Sequence, residues 1–118
     1  MVRDFAEKVL VGRHLDLLET YLDDELIQHN PETADGVAAL RAAMEATVGG
    51  DSHIRYTQVH RVLAEGNFVL CMSEGYKAGV HTSFYDLFRV ADGKVMEHWD
   101  TIETIAPRSE WKNENGKF

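Results

Sequence analysis

The sequence predicts an α+β fold in which N-terminal helices pack on a strongly curved antiparallel sheet and enclose a pocket. Three observations support this prediction. Apolar residues recur at helical spacing in the first half of the chain, and four segments rich in β-branched and aromatic residues follow in the second half. The last two of these segments carry polar residues at positions that strand alternation would otherwise fill with aliphatic side chains.

The first helical region shows apolar residues at spacings of three and four. They are Phe5, Val9, Leu10, Leu15, Leu18 and Leu22. Gly12 either separates two helices here or weakens a single one. Pro31 pushes Asn30 into an extended conformation, so regular structure is expected to stop there.

A third helix is predicted over residues 36–48, where apolar side chains again recur at helical spacing. Asp35 is placed to cap its start, and Gly49 and Gly50 are placed to end it. Four strands follow, at residues 53–64, 68–79, 81–90 and 94–105. The polar tail after residue 105 is expected to be a loose extension.

Length and charge restrict the class of protein. A chain of 118 residues that is 44% hydrophobic fits one domain, residues 1–118, with a core of its own. The formal charge is 12 − 20 = −8, which argues against nucleic acid and anionic membranes as partners. No apolar run approaches the ~18 residues of a membrane span, and no signal peptide is recognisable.

Cysteine and histidine usage points to a cytoplasmic protein without a metal. Cys71 is the only cysteine, so an intramolecular disulfide is excluded and a reducing compartment fits. It lies in the apolar run FVLCM and is expected to be a small buried hydrophobe. The six histidines form no compact metal-binding motif, so the sequence gives little support for a metal site.

The register of the last hairpin decides which side chains share a face. A three-residue loop at residues 91–93 pairs Asp86 with His98 and Phe84 with Asp100, whereas a two-residue loop would place Asp86 opposite Trp99. We favour the three-residue loop. One face then carries Phe84, Asp86, Phe88, Met96, His98 and Asp100, and the other carries Tyr85, Leu87, Arg89, Val95, Glu97, Trp99 and Thr101.

Two carboxylates and an imidazole among apolar side chains are suited to general acid/base chemistry. An apolar environment raises carboxyl pKa values, and neighbouring carboxylates favour a protonated histidine. The other interpretation is that Asp86 and His98 form an ordinary polar pair on a solvated face. In the segment LIQHNP, the polar residues before Pro31 either end a helix or line the mouth of the pocket.

Several sequence blocks together resemble a known family. They are LIQHNP, the ADG that opens the third helix, VHRVLAEGNFV, YDLFRVADGKVMEHWD and the closing NENGKF. The combination is similar to the SnoaL-like polyketide cyclases of the nuclear transport factor 2-like superfamily. That resemblance implies a cone-shaped α+β barrel with a deep apolar pocket. It also implies a homodimer through the convex sheet face, whose residues here are Tyr85, Leu87, Arg89 and Trp99.

The resemblance also implies roles for individual residues. In the cyclases, an aspartate at the position of Asp100 acts as general acid/base in an aldol closure without metal or cofactor. His29 is similar to a pocket histidine of the cyclases. Asp86 stands where cyclases have a histidine and where ketosteroid isomerases have an oxyanion-binding aspartic acid. Asn30 stands where those isomerases have their base, and an amide cannot abstract a proton, which argues against the steroid reaction.

These observations predict a cofactor-independent enzyme that moves protons next to a carbonyl of a small apolar substrate, by aldol cyclisation, isomerisation or dehydration. Asp100 is the expected acid/base, His98 tunes it or binds an oxyanion, and Asp86 orients His98. The expected substrate-binding residues are His29, Asn30, Phe84, Phe88, Met96 and Ile102. The alternative is a non-catalytic ligand-binding or dimerisation domain that carries the same polar residues.

Overall fold

The computed structural model of the chain describes residues 1–46 and 54–118. Helical segments near the N-terminus pack on one five-stranded, curled sheet that does not close. The α+β architecture predicted from the sequence is confirmed. Among the described residues, none of the helices has the length and apolar character to cross a membrane.

The N-terminal region is divided into short helical pieces. They are α1 (Val2–Phe5) with its π-helical continuation Ala6–Val11, a 3₁₀ turn at Leu15–Leu17, α2 (Leu18–Tyr21) and α3 (Val37–Ala46). Gly12 lies between the first two pieces. A larger residue would not fit there, because a Cβ atom at this position would lie 2.7 Å from the carbonyl oxygen of Lys8. The predicted end of α3 at Gly49 and Gly50 lies outside the described residues.

The four predicted strands are present, and a fifth was missed. The strands are β1 (Leu22–Gln28), β2 (Ile54–Glu65), β3 (Phe68–Lys77), β4 (Val80–Ala91) and β5 (Lys94–Thr104). Their spatial order is β1-β5-β4-β3-β2, with β2 to β5 antiparallel and β1 parallel to β5. Leu22 and Leu26 are both buried, at a spacing of four that places two side chains on one face of a helix or of a strand.

The predicted three-residue hairpin loop is wrong. Ala91 pairs with Lys94, which leaves a two-residue loop of Asp92 and Gly93. Both loop residues have positive φ values, 52° and 75°. This is the type I′ turn that suits the right-handed twist of a hairpin and that an Asp-Gly pair favours.

A β-bulge in β5 restores the predicted grouping of side chains. Val90 pairs with Val95 but Arg89 pairs with Glu97, so Met96 is an extra residue without a partner on β4. The inserted residue moves every later pair by one position. Asp86 therefore lies opposite Asp100, and not opposite Trp99 as a regular two-residue hairpin would require.

The core lies between the N-terminal helices and the concave side of the sheet. Phe5, Val9 and Leu18 are at most 1% exposed, as are Leu22 and Leu26 of β1. The ring of Phe5 packs edge-on against Phe88 of β4, with centroids 5.7 Å apart. This packing fixes the helices at one end of the sheet and leaves room for a cavity between them and β4–β5.

The C-terminal tail is not the loose extension that its polarity suggested. After a 3₁₀ turn at Arg108–Glu110, the chain returns to the sheet. The ring of Phe118 stacks on His60 with centroids 4.2 Å apart, and Lys117 Nζ lies 2.6 Å from Glu103 Oε1. His60 in turn bonds to Glu74 and so contributes to this outer cluster and not to the cavity.

Gly75 allows β2 and β3 to approach closely beside Tyr56. A Cβ atom at Gly75 would lie 1.9 Å from the carbonyl oxygen of Arg55, whereas Gly66 has open space around it and a φ of +59°. We expect Gly75→Ala to lower the free energy of unfolding by about 2 kcal/mol or more, because the backbone must move. Gly66→Ala is the control. It should lower the free energy of unfolding by about 1 kcal/mol, because alanine disfavours the positive φ at this position.

Urea unfolding of both variants measures this difference. A loss for Gly75→Ala no larger than that for Gly66→Ala would contradict the close approach of the two strands.

Candidate functional site

A cavity of about 110 Å³ lies between the helical layer and the concave face of the sheet. Its apolar wall comes from both layers and consists of Phe5, Leu10, Leu22, Leu26, Leu40, Ala43, Met44, Ile54, Phe88 and Val95. Its polar side chains are Arg13, Gln28, Asn30, Thr33, Tyr56, Asp86, His98 and Asp100. An apolar pocket with a few convergent polar groups is the usual form of a small-molecule site.

Asp86 is the buried centre of the polar groups. It is 1% exposed, and its two carboxyl oxygens contact Tyr56 and His98. The Tyr56 hydroxyl donates to Oδ2 at 2.9 Å, and Nε2 of His98 lies 2.8 Å from Oδ1. Burial raises the pKa of Tyr56 well above its usual value, and the negative charge of Asp86 adds to this effect. Tyr56 therefore stays protonated at neutral pH and donates a hydrogen bond to Asp86.

Gln28 fixes the protonation of the other histidine nitrogen. Nδ1 of His98 lies 2.7 Å from Oε1 of Gln28, and the same oxygen accepts the backbone N–H of Asn30 at 3.2 Å. Because the amide oxygen cannot donate, Nδ1 must carry a proton. The contact between Nε2 and Asp86 then needs one further proton, which His98 and Asp86 share.

Asp100 is the second carboxylate of the site. It lies directly opposite Asp86 in the β4–β5 ladder, and its Oδ2 accepts a hydrogen bond of 2.9 Å from the Asn30 amide. Among the described residues, Oδ1 of Asp100 has no hydrogen-bond donor. Asp86 is thus fully engaged, whereas Asp100 has one oxygen available to a ligand in the cavity.

Comparison with known proteins identifies the family of this fold and site. Residues 2–98 match the family described as the SnoaL-like domain. The chain belongs to the SnoaL-like domain family. No curated protein sequence matches it.

Solved structures of similar fold carry several different descriptions. A putative ketosteroid isomerase from Kribbella flavida has a TM-score of 0.73 at 17% identity, covering 98% of this chain and 88% of its own. A putative polyketide cyclase from Acidithiobacillus ferrooxidans has a TM-score of 0.68 at 11% identity, covering 86% and 84%. An epoxide hydrolase from M. tuberculosis has a TM-score of 0.65 at 20% identity, covering 86% and 79%. At these identities the likeness establishes the fold alone.

The same three side chains are also spaced as metal ligands. In this SnoaL-like domain, Asp86, His98 and Asp100 each offer one ligand atom, and these atoms lie within 4.8 Å of one another. A divalent metal ion bound there would have to displace the proton that Asp86 and His98 share. The hydrogen bonds of Asp86 and His98 are complete for this proton-bound state.

The predicted apolar wall is only partly present in the cavity. Phe88 lines it and stacks on His98 with centroids 5.0 Å apart. Phe84 is fully buried behind Tyr56, with centroids 4.4 Å apart. Met96 and Ile102 do not line the cavity, and Met96 is instead the bulge residue. The bulge turns Val95, which was predicted on the outer face, into the cavity.

His29 lies outside the cavity, on the outer side of the sheet. Its ring stacks on Trp99 with centroids 4.7 Å apart, and its Nε2 lies 2.6 Å from Glu97. The cause is strand alternation, which sends Gln28 and Asn30 inward and the residue between them outward. The outer face proposed for dimerisation keeps the predicted grouping, with Leu87 opposite Trp99.

Sequence reasoning missed Tyr56 and Arg13 as cavity residues. A tyrosine in a strand pattern carries no signal of a site by itself, and the region around Arg13 shows only a helical pattern. Gln28 is one of the polar residues before Pro31 for which the sequence left two roles open, and it lines the cavity. Cys71 is buried as predicted, and burial raises the pKa of its thiol to about 12, so it is not a nucleophile at neutral pH.

Removing the Tyr56 hydroxyl tests the buried donor to Asp86. We expect Tyr56→Phe to lower the free energy of unfolding by about 1–3 kcal/mol, because Asp86 loses one of two donors inside the protein. The raised pKa of Tyr56 stabilises the fold fully below the ordinary tyrosine pKa of about 10, and this contribution is lost as the pH rises through the raised value.

Phenolate absorbance during an alkaline titration measures the ionisation of the Tyr56 hydroxyl. The wild type should show a late ionisation phase that is missing in Tyr56→Phe and retained in the control Tyr76→Phe, which changes an exposed tyrosine. Equal stability of wild type and Tyr56→Phe would argue against the hydrogen bond.

Proposed function

We propose that this SnoaL-like domain is a cofactor-independent general acid/base enzyme that moves protons next to a carbonyl of a small, largely apolar substrate. The observation that carries the proposal is the difference between the two adjacent carboxylates. Asp86 has both oxygens engaged, whereas Asp100 is held through Oδ2 alone and faces the same cavity. A general base needs this combination of fixed orientation and one available oxygen.

Asp100 takes the proton from the carbon next to the substrate carbonyl and returns it later in the reaction. The Asn30 amide holds the carboxylate in place, because it donates to the oxygen that does not react. The apolar wall excludes water from the reacting carbon and strengthens the electrostatic interactions within the cavity. Aldol cyclisation, isomerisation and dehydration all use this proton transfer.

His98 and Asp86 act behind Asp100. Both ring nitrogens of His98 are engaged, one by Gln28 and one by Asp86, so in this geometry the histidine does not donate to a substrate oxyanion. The pair instead keeps a shared proton close to Asp100, which has one carboxylate oxygen within 4.8 Å of a ligand atom of each partner. This proton reduces the repulsion between the two carboxylates and makes their close approach possible.

The similar structures support proton transfer as the class of reaction without fixing the substrate. Polyketide cyclisation and steroid isomerisation, named in the descriptions of two of them, both proceed by proton transfer next to a carbonyl. The cavity of about 110 Å³ is smaller than the roughly 300–1,000 Å³ of typical ligand sites, which favours a small substrate. Asn30 stands where ketosteroid isomerases have their base. Because an amide cannot abstract a proton, we do not propose the steroid reaction for this protein.

Hydrogen–deuterium exchange tests the proposal without knowledge of the physiological substrate. We expect the wild type to accelerate exchange of α-protons in members of a panel of small ketones and aldehydes in D₂O, followed by proton NMR. Asp100→Asn should lose roughly 10²–10⁴-fold in exchange rate. The matched control Asp24→Asn, which changes an exposed aspartate on β1, should keep the wild-type rate.

An exchange rate for Asp100→Asn equal to that of the wild type would show that Asp100 is not the general base. Binding of panel members without exchange in any protein would favour the alternative, a non-catalytic binding domain whose buried polar groups only satisfy one another.

A further inference from the structure

Arg13 is the only lysine or arginine that lines the cavity, among the residues that the structure describes. It enters from the loop that follows the N-terminal helix, whereas Asp86, His98 and Asp100 enter from the sheet. The cavity therefore has a guanidinium on its helical wall and the acid/base groups on its sheet wall.

The backbone at Arg13 is in a conformation that arginine rarely adopts. Its φ is +58°, in the left-handed region that favours glycine after the end of a helix. Gly12, the residue before it, has a negative φ and is required for a different reason, the close approach to the carbonyl of Lys8. Unfavourable backbone conformations of this kind concentrate at functional sites.

The guanidinium is only partly used by the protein. One nitrogen, Nη2, donates to the carbonyl oxygen of Met44 in the last turn of α3 at 2.8 Å. Arg13 forms no ion pair with any carboxylate in residues 1–46 or 54–118. A guanidinium carries five N–H donors in a planar fork, so it retains donors for an anionic group inside the cavity.

We propose that Arg13 binds a carboxylate of the substrate, which makes the substrate a small carboxylic acid with a carbonyl group directed at Asp100. This inference rests on the proposed function and specifies its substrate class. Carboxylate is the anion that a guanidinium fork matches through two parallel hydrogen bonds. The apolar side chains between the two walls favour a compact hydrocarbon group as the part of the substrate that connects its carboxylate and its carbonyl.

The charges of the cavity accommodate such an anion. Asp86 and His98 share a proton, so the pair carries no net charge in either arrangement of that proton. The remaining charges are Arg13 on the helical wall and Asp100 on the sheet wall. A substrate carboxylate at Arg13 neutralises the guanidinium, and its carbonyl end meets Asp100 and the Asn30 amide.

A purely structural role for Arg13 makes a different prediction. The bond to Met44 ties the loop to the C-terminal turn of α3, where a cation is favoured by the helix dipole. If this were its whole role, removing the guanidinium would lower thermal stability without changing the preference of the cavity for a charged over a neutral ligand.

Benzoate and benzamide are matched probes, because they share size and ring and differ in charge. We expect NMR titration of the wild type to give benzoate a dissociation constant at least roughly tenfold below that of benzamide. Arg13→Gln should reduce this ratio to about one, and Arg13→Lys, which keeps the charge but loses the fork, should give an intermediate ratio. Arg3→Gln is the control, since it removes the same charge from an exposed side chain outside the cavity.

Three results would overturn the proposal. They are an unchanged ratio in Arg13→Gln or Arg13→Lys, equal affinities of the two probes for the wild type, and no saturable benzoate binding at concentrations on the order of 10 mM. The wild-type comparison and Arg13→Lys decide the matter even if Arg13→Gln does not fold. The binding experiment involves no turnover, so its outcome and that of the exchange experiment can be told apart. Equal binding of benzoate and benzamide would count against the role of Arg13 alone, and a failed exchange experiment would count against the role of Asp100 alone.

Discussion

The site of this protein depends on one inserted residue, Met96, in the last strand. A two-residue Asp-Gly turn alone would place Asp86 opposite Trp99 and send Asp100 to the far side of the sheet. The bulge at Met96 shifts the ladder by one, so that Asp86 and Asp100 become direct neighbours and His98 reaches Asp86. Because side chains alternate along a strand, no smaller change could bring both carboxylates to the concave side.

Once the two carboxylates are neighbours, the remaining polar groups follow from the cost of burial. A buried carboxylate without partners is unstable, and Asp86 is almost completely buried. Tyr56 reaches it from the far edge of the sheet, and His98 reaches it from the adjacent strand. The parallel strand β1 then supplies Gln28 to His98 and leads into Asn30, which holds Asp100. The result is two short hydrogen-bond networks. One engages both carboxylate oxygens of Asp86, and the other holds Asp100 through Oδ2 and leaves its Oδ1 available to a ligand.

Local patterns were sufficient to predict most of the fold and much of the site. Turn residues and β-branched runs located the four antiparallel strands, and alternation placed Asp86, His98 and Asp100 on one face. That grouping survived an incorrect loop because, beyond the bulge, the predicted and observed registers differ by two residues, which keeps Asp86, His98 and Asp100 on one face. The resemblance to SnoaL-like cyclases supplied the cone-shaped arrangement that local patterns do not encode.

Strand β1 and the cavity roles of Tyr56 and Arg13 were missed because they depend on contacts between distant parts of the chain. Strand β1 is short and is stabilised by pairing with β5, and Leu22 at its start also fits the helical spacing of the residues before it. A tyrosine on β2 becomes a partner of Asp86 only after the sheet has curled, and Arg13 becomes a cavity residue only after α3 has packed. His29 was misplaced for a simpler reason, since alternation in LIQHNP was not applied to the residue between Gln28 and Asn30.

The central claim is that His98 carries a proton on Nδ1, held by Gln28, and shares another with Asp86 through Nε2. The most direct measurement is the nitrogen-15 NMR spectrum of the His98 ring near neutral pH, with long-range correlations that assign both nitrogens. The account predicts a protonated Nδ1 with its proton directed at an acceptor. A neutral ring with its single proton on Nε2 and a bare Nδ1 would contradict it.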